Sequence, residues 1–312
     1  MIVRKVIYLI LNSFDHRKEK IPNLFFQKFK KYSHLSRKDK HRIRVCINEI
    51  IRYLGLIDHL IEVGSERKIR YVNPKIRNVL RLGIYELVFD DMTPEFAAIH
   101  SNVELAKKNI NKRSSSMVNA VMRNVQRHSQ KNSNWKMSLI KNKINLAYPK
   151  WLLKKWEDEF GKGLTKNLCA EFLNKKDMFI RLDIDRYSVD KMLSTLSHSN
   201  IKVIQHNYFK LFFKVVLGQK NILDNNLFQE GIISIQDPAA GAVIELVNPQ
   251  KNDFILDVCA APGTKSLFMA QRVGEGGRIF SCDNSQKRID KALKDKSRNK
   301  FNNIEWHLLD AS

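Results

Sequence analysis

The tightest restriction on the fold comes from residues 254 to 266, which read Phe-Ile-Leu-Asp-Val-Cys-Ala-Ala-Pro-Gly-Thr-Lys-Ser. Four of the first five are apolar, turn formers stand at Ala261, Pro262 and Gly263, and the following TKSLFMAQRV has helical periodicity. The pattern predicts a buried strand, a tight loop and a helix. In an open parallel sheet, ligands sit beyond the carboxyl ends of the strands, where loop amides and a helix N-terminus point outward together. Asp257 and the loop Cys259, Ala260, Ala261, Pro262, Gly263, Thr264 and Lys265 are therefore expected at a ligand site. A second apolar strand from Arg278 ends in Asp283 about twenty residues after Gly263, a spacing at which a carboxylate can accept both hydroxyls of a ribose. A third, Ile304 to Leu309, ends at Asp310. The ligand should then carry a nucleoside. A Walker loop is excluded, because Val258 stands where its first glycine should be and Thr264 separates Gly263 from Lys265; no G-x-G-x-x-G motif occurs.

Charge is distributed unevenly along the 312 residues. Residues 237–312 hold 11 Lys and Arg against 10 Asp and Glu, whereas the first 236 residues hold 44 against 22. An excess of that size outside the nucleoside region favours a polyphosphate partner, since each neutralised phosphate releases counterions. Cys46, Cys169, Cys259 and Cys282 form no C-x-x-C pair, so neither a zinc site nor a disulfide framework is indicated and a reducing cytoplasm is expected. The apolar run Val6 to Leu11 is too short to span a membrane and is taken as part of a first core helix.

Residues 1 to about 130 read as a helical bundle. Arg42 to Leu60 places Ile43, Ile47, Ile50, Ile51, Leu54 and Ile57 on one stripe; Pro74 opens a second helix with Ile76, Val79, Leu80, Ile84, Leu87 and Val88 inward. Further helices are expected from Ala97 to Lys107 and from Ser115 to Arg127. Residues 131–236 change pattern. A helix begins near Tyr148 and is expected to end at Gly161 and Gly163; strands at Met178–Asp183, Ile201–Gln205 and Leu211–Leu217, with a helix at Ser188–Leu196, make a small α/β module. There Arg181, Lys202, Lys210, Lys214 and Lys220 interleave with Tyr208, Phe209, Phe212 and Phe213, a combination suited to RNA phosphates and unstacked bases unless the aromatics form the core.

The segment Pro74-x-x-Arg77-x-x-Leu80-Arg81-Leu82-Gly83-Ile84-Tyr85-Glu86-Leu87, then His100 to Lys107, then Val118-Asn119-Ala120-Val121-Met122-Arg123, resembles the NusB-like helical fold. With QDPAAG, DVCAAPGTKS, SCDNS and LLDA following in order, the chain resembles the bacterial 16S ribosomal RNA (cytosine-C5) methyltransferases over nearly its whole length. The resemblance implies an all-α NusB-like RNA-binding bundle (1–130), a small α/β RNA-binding module with its linker helix (131–236) and an incomplete Rossmann-like methyltransferase domain (237–312). It implies S-adenosyl-L-methionine as cofactor, bound by Cys259 to Lys265, Asp283 and Asp310, with Asp257 orienting the loop. The implied partner is small-subunit ribosomal RNA; a cytoplasmic monomer without metal or membrane attachment is expected. Asn119, on an otherwise apolar helix face, is expected to be structural.

Cytosine C5 is a poor nucleophile, and the resemblance implies a cysteine thiolate that adds to C6, carried in the family by Pro-Cys and Thr-Cys motifs after the fourth and fifth strands. Neither motif is present. Cys259 belongs to the cofactor loop and Cys282 to a strand, so no catalytic residue is assigned. The chain is expected to be a fragment, a truncated product or one completed by something else, to bind the cofactor weakly or not at all, to transfer no methyl group, and to leave Phe254 to Val258 as an uncovered apolar edge. The alternative is a non-catalytic RNA-binding or ribosome-assembly protein with a vestigial methyltransferase unit.

Overall fold

A computed structural model describes residues 2–16, 19–132, 134–174 and 176–310. The chain divides into two compact units, Met1–Lys175 and Lys176–Ser312.

The first unit is helical: α1 (Ile2–His16), α2 (Ile21–Lys31), α3 (Arg37–Arg52), α4 (Leu54–Ser65), α5 (Pro74–Ile84), α6 (Glu95–Asn109), α7 (Lys112–Ser129), α8 (Trp135–Lys143) and α9 (Lys150–Leu173). Starts follow capping chemistry. Ser36 accepts from the Asp39 amide while the Asp39 carboxylate takes the Ser36 amide, a complete capping box, and Asn73 and Asn111 cap α5 and α7. The expected single helix from Arg42 to Leu60 is two helices meeting at Tyr53. The chain bends there so that Gly55 admits the Leu146 carbonyl; a Cβ on Gly55 would lie 1.6 Å from that oxygen. α9 breaks at Gly161 (φ 74°), as expected, but resumes and runs on to Leu173, burying Cys169 and Leu173 against Leu56 and Ile144.

The apolar stripes converge on one core that includes Val6, Ile10, Ile47, Ile57, Leu80, Val118 and Met122. Ion pairs thread through it. Arg81 donates to Asp58 and Asp15, both at 2.8 Å, and Arg77 reaches Asp15 at 2.8 Å. Arg4 donates to Glu86 at 2.9 Å, Asn102 donates to the same carboxylate at 2.7 Å, and Arg42 pairs with Asp90. These contacts join residues up to 82 positions apart, so they fix which helices lie together.

The second unit holds two sheets. β1 (Met178–Leu182), α10 (Val189–His198), β2 (Lys202–Gln205), β3 (Phe212–Leu217), α11 (Asn226–Gln229) and β4 (Ile233–Ile235) form an antiparallel sheet of order β2-β3-β1-β4. After α12 (Pro238–Val247), β5 (Phe254–Asp257), α13 (Thr264–Val273), β6 (Arg278–Asp283), α14 (Gln286–Asn299) and β7 (Ile304–Leu308) form a parallel sheet of order β5-β6-β7. Register places Ile255, Ile279 and Ile304 side by side, and this face packs with Leu267, Phe268 and Val273 of α13. The opposite face is open. Phe254 is 72% exposed and Leu256 63%, and Phe280 beside them is also exposed. The expectation of a buried β5 is therefore corrected: as the outer strand of the sheet, with cover on one face only, it has a bare apolar face, in line with the expected uncovered edge.

Candidate functional site

The loop after β5 is held from below by its neighbour strand. The Ala260 amide donates to the Cys282 carbonyl at 3.0 Å, and the Ala261 amide donates to the Asp283 carboxylate at 3.2 Å. The Ala261–Pro262 bond is cis, and the Gly263 amide closes a turn onto the Ala260 carbonyl at 2.9 Å. Gly263 adopts φ 104°, where a side chain is strained, and a Cβ on it would meet the Trp306 ring at 2.9 Å. The residue can only be glycine without moving β7. α13 starts at this point with no side-chain cap, so the positive end of its dipole and its first amides remain available to an anion.

Carboxylates end β5 and β6, and a third follows β7. Asp257 accepts from the Ser266 hydroxyl at 2.7 Å and from the Cys259 amide at 3.3 Å, so it ties the strand end to the first turn of α13. Asp283 is buried, and besides Ala261 it accepts from the Ser285 amide and Arg288, each at 2.9 Å. Asp310 lies exposed two residues beyond β7, and the Leu309 amide donates to the Asp283 carbonyl, which sets the last two strand ends side by side. Lys265 is half-buried in the first turn of α13. The structure thus brings Cys259 to Lys265, Asp257 and Asp283 into one cluster, with Asp310 on the adjoining strand end. Ser266, Arg288 and Trp306 belong to it as well. Trp306 could have been found from the alternation of β7, which sets it opposite Ser281 and Asp257. Ser281 Oγ and Trp306 Nε1 are buried on that face without a protein partner.

The thiols differ in access. Cys46 is buried and its pKa is pushed up to about 12, chiefly by that burial. Cys169 is buried and shifted upward for the same reason. Cys282 is buried within β6, and Cys259 is exposed in the loop.

Of the expected RNA-facing residues, Arg181, Phe212 and Phe213 are core. Arg181 donates to Gln236 at 2.8 Å and to Gln271, and its guanidinium lies 4.1 Å from the centroid of Phe268. Burial lowers its pKa to about 10 although Asp183 opposes the change. Lys214 pairs with Asp177 at 2.6 Å, whereas Lys202, Tyr208, Lys210 and Lys220 are exposed. Asn119 is half-buried, accepts from Arg123 at 3.2 Å, and lines a cavity of about 340 Å³ with Phe96 and His100. It is not a core residue.

Comparison with known proteins matches residues 1–127 to the NusB family, 148–212 to the ferredoxin-like domain of RsmF/B-like methyltransferases and 244–312 to the 16S rRNA methyltransferase RsmB/F family. A probable ribosomal RNA small subunit methyltransferase B of Synechocystis is 30% identical over 92% of this chain and 65% of its own length. One from Bacillus subtilis is 25% identical over 84% of this chain and 58% of its own length. The chain thus spans about three fifths of the length of these relatives. Among solved structures, that of PH0851 shares the fold over 99% of this chain and 69% of its own, with a TM-score of 0.66 at 17% identity.

Proposed function

With a NusB region, an RsmF/B-type ferredoxin-like domain and an RsmB/F methyltransferase region in that order, the chain is a relative of the 16S ribosomal RNA methyltransferases, and we propose that it serves S-adenosyl-L-methionine-dependent methylation of cytosine C5 in 16S ribosomal RNA. The observation that carries this reading is the loop Cys259 to Lys265, pinned at the end of β5 and opening into an uncapped helix beside Asp283. The residues fit the cofactor. The first amides of α13, with Lys265, suit its carboxylate; Asp283 and Asp310, ending adjacent strands, suit its ribose and adenine edge; Asp257, fixed by Ser266, orients the loop. S-adenosyl-L-methionine supplies a methyl group activated on a sulfonium.

The acceptor carbon needs a thiolate at C6. Among the described residues Cys46, Cys169 and Cys282 are buried, and Cys259 is committed to the cofactor loop. We therefore include in the proposal that this 312-residue chain transfers no methyl group by itself. Calorimetric titration with S-adenosyl-L-methionine should show weak binding that Gly263→Ala reduces about ten-fold or more, because the left-handed turn and the Trp306 contact both resist a side chain. Undiminished binding by that variant would refute the role of the loop. Robust tritium transfer from the labelled donor to small-subunit ribosomal RNA would refute the inactivity of the chain.

The excess of 44 Lys and Arg over 22 acids in the first 236 residues favours a second reading, a non-catalytic RNA-binding or ribosome-assembly protein. A chain that retains RNA binding yet shows no cofactor binding at any concentration would select it.

A further inference from the structure

At the amino ends of β6 and β7, across the parallel sheet from the loop Cys259 to Lys265, the second unit holds a cavity of about 540 Å³. Its walls come from the connection between β1 and α10, the ends of α13 and α14, and the residues before β7. The size suits a small molecule, for which sites run from roughly 300 to 1,000 Å³. Asp183 and Asn303 line the cavity and are only 4% and 5% exposed, yet each keeps an acceptor that the protein does not fill. Asn303 donates both amide hydrogens to the end of α13, to the carbonyls of Ala270 and Gly274 at 2.7 Å, and its Oδ1 has no donor among the described residues. Asp183 accepts through Oδ1 from Gln271 at 2.9 Å and from the Asp185 amide at 3.2 Å, and its Oδ2 has no donor among the described residues. Burial raises the pKa of Asp183, so a donor beside that oxygen would relieve a cost. Arg186 does not supply one: its guanidinium donates to the carbonyls of Glu230 at 3.0 Å and Asn299 at 3.3 Å. Both open acceptors are tied to the last turn of α13, so they meet at one end of that helix.

The rest of the lining is amphoteric. Arg278, which opens β6, and Lys300, which follows α14, are exposed on the rim without an ion pair among the described residues, while Asp185 and Glu275 are exposed beside them. A simple anion or a simple cation would meet an opposing charge on one wall. A ligand fits if it offers donors at its inner end and an anion at its outer end. An α-amino acid fails, because its ammonium and carboxylate share one carbon, whereas the acceptors lie deep and the cations at the rim. A nucleotide keeps the two apart, and half-buried Phe301 gives its base an apolar wall. Two acceptors side by side call for two adjacent donors, which the N1–H and N2 amine of guanine present; adenine sets an acceptor next to its amine and would leave one oxygen unmet. We infer that this cavity is a site for a free guanine nucleoside monophosphate, with the base edge on Asp183 and Asn303, the purine against Phe301 and the phosphate on Arg278 and Lys300. The inference does not rest on the methyltransferase reading, and its test uses neither methyl donor nor ribosomal RNA.

The test is calorimetric titration of the full chain with guanosine 5′-monophosphate, inosine 5′-monophosphate and guanosine. The guanine nucleotide should bind about ten-fold or more tighter than the inosine nucleotide, which lacks the N2 amine and leaves one acceptor unpaired. Asp183→Asn keeps the size of the side chain and an oxygen for Gln271 but turns an N–H toward the base, so it should weaken guanosine and its monophosphate alike, about ten-fold or more. Arg278→Gln combined with Lys300→Asn should weaken the monophosphate about ten-fold and leave guanosine unchanged; asparagine is tolerated at position 300, where φ is 61°. Both rim residues are exposed, so this pair carries the test even if Asp183→Asn fails to fold. No saturable heat with the guanine nucleotide at millimolar concentration, equal affinity for the guanine and inosine nucleotides, undiminished binding by a folded Asp183→Asn chain, or equal loss of guanosine and its monophosphate in the rim variant would each overturn the inference. So would a chain that binds an RNA oligonucleotide ending in guanosine but not the free nucleotide.

Discussion

Guanidinium groups sunk into the helical unit meet carboxylates, Arg81 with Asp15 and Asp58, Arg42 with Asp90 and Arg4 with Glu86, whereas Arg181 in the sheet unit meets two amides and a phenyl ring. The difference shows in their protonation. Burial would lower the pKa of Arg81, but the bonds and charge of Asp58 and Asp15 raise it; for Arg181 burial prevails. A charge matched across the core specifies which segments meet, while a charge solvated by neutral groups bridges two elements without demanding a counter-ion.

The contrast predicts unequal costs of removal. Arg81→Ala leaves the half-buried Asp58 without its guanidinium and Asp15 with Arg77 alone, and should lower stability by about 3–5 kcal/mol in urea unfolding followed on the helical unit. A loss below about 1 kcal/mol would break the contrast. Arg181→Met leaves only the amides of Gln236 and Gln271 to re-pair and should cost about 1–3 kcal/mol, with the apolar chain retaining its packing on Phe268. Equal costs would show that the neutral partners serve as well as the charged ones.

Acid should separate the same two regions. For Asp15 and Asp90 burial favours the neutral acid, but Arg77 and Arg81 at the first, and Arg42 and Thr93 at the second, hold the pKa below its ordinary value. Their stabilisation is present above the unfolded-state value and is lost as pH falls through the lowered one. Asp183 is shifted the other way by burial, so its protonation on acidification relieves a cost. Glu86, also raised by burial, runs against the trend within the helical unit. Hydrogen exchange resolved by region should show α1 and α5 losing protection before β1 as pH drops below about 4, and Asp15→Asn should diminish that loss. The reverse order would remove the distinction. Smallest of all, Phe254→Lys on the open face of β5 should change stability by less than about 0.5 kcal/mol, since that side chain is already in water.

The loop, its strand and its helix were legible in the sequence because a run of apolar residues, three turn formers and a helical period occur within a few turns of chain. Exposure was legible only in part: an uncovered apolar edge at Phe254 to Val258 was expected, yet the same residues read as a strand buried on both faces, and the sheet order shows β5 as the outer strand with one face lacking cover. Phe212 and Phe213 likewise read as core or as base-stacking platforms, with core the favoured reading for each ring, and burial decides for core. The break at Tyr53 was hidden because Gly55 owes its place to the Leu146 carbonyl, a contact across 91 positions that no local period announces. Asn119, expected to be structural from the apolar residues around it, is half-buried on a cavity wall, where it accepts from Arg123.

The contact between Gly263 and Trp306 has a temporal side. The turn of the loop and the ring it rests on are 43 positions apart, so the motif has its support only after α13, β6, α14 and β7 have assembled. On a ribosome, a nascent chain that has emerged only as far as β6 holds every residue of the loop and none of the ring beneath it. The geometry of the loop is acquired late, as a product of assembly rather than a property of the motif.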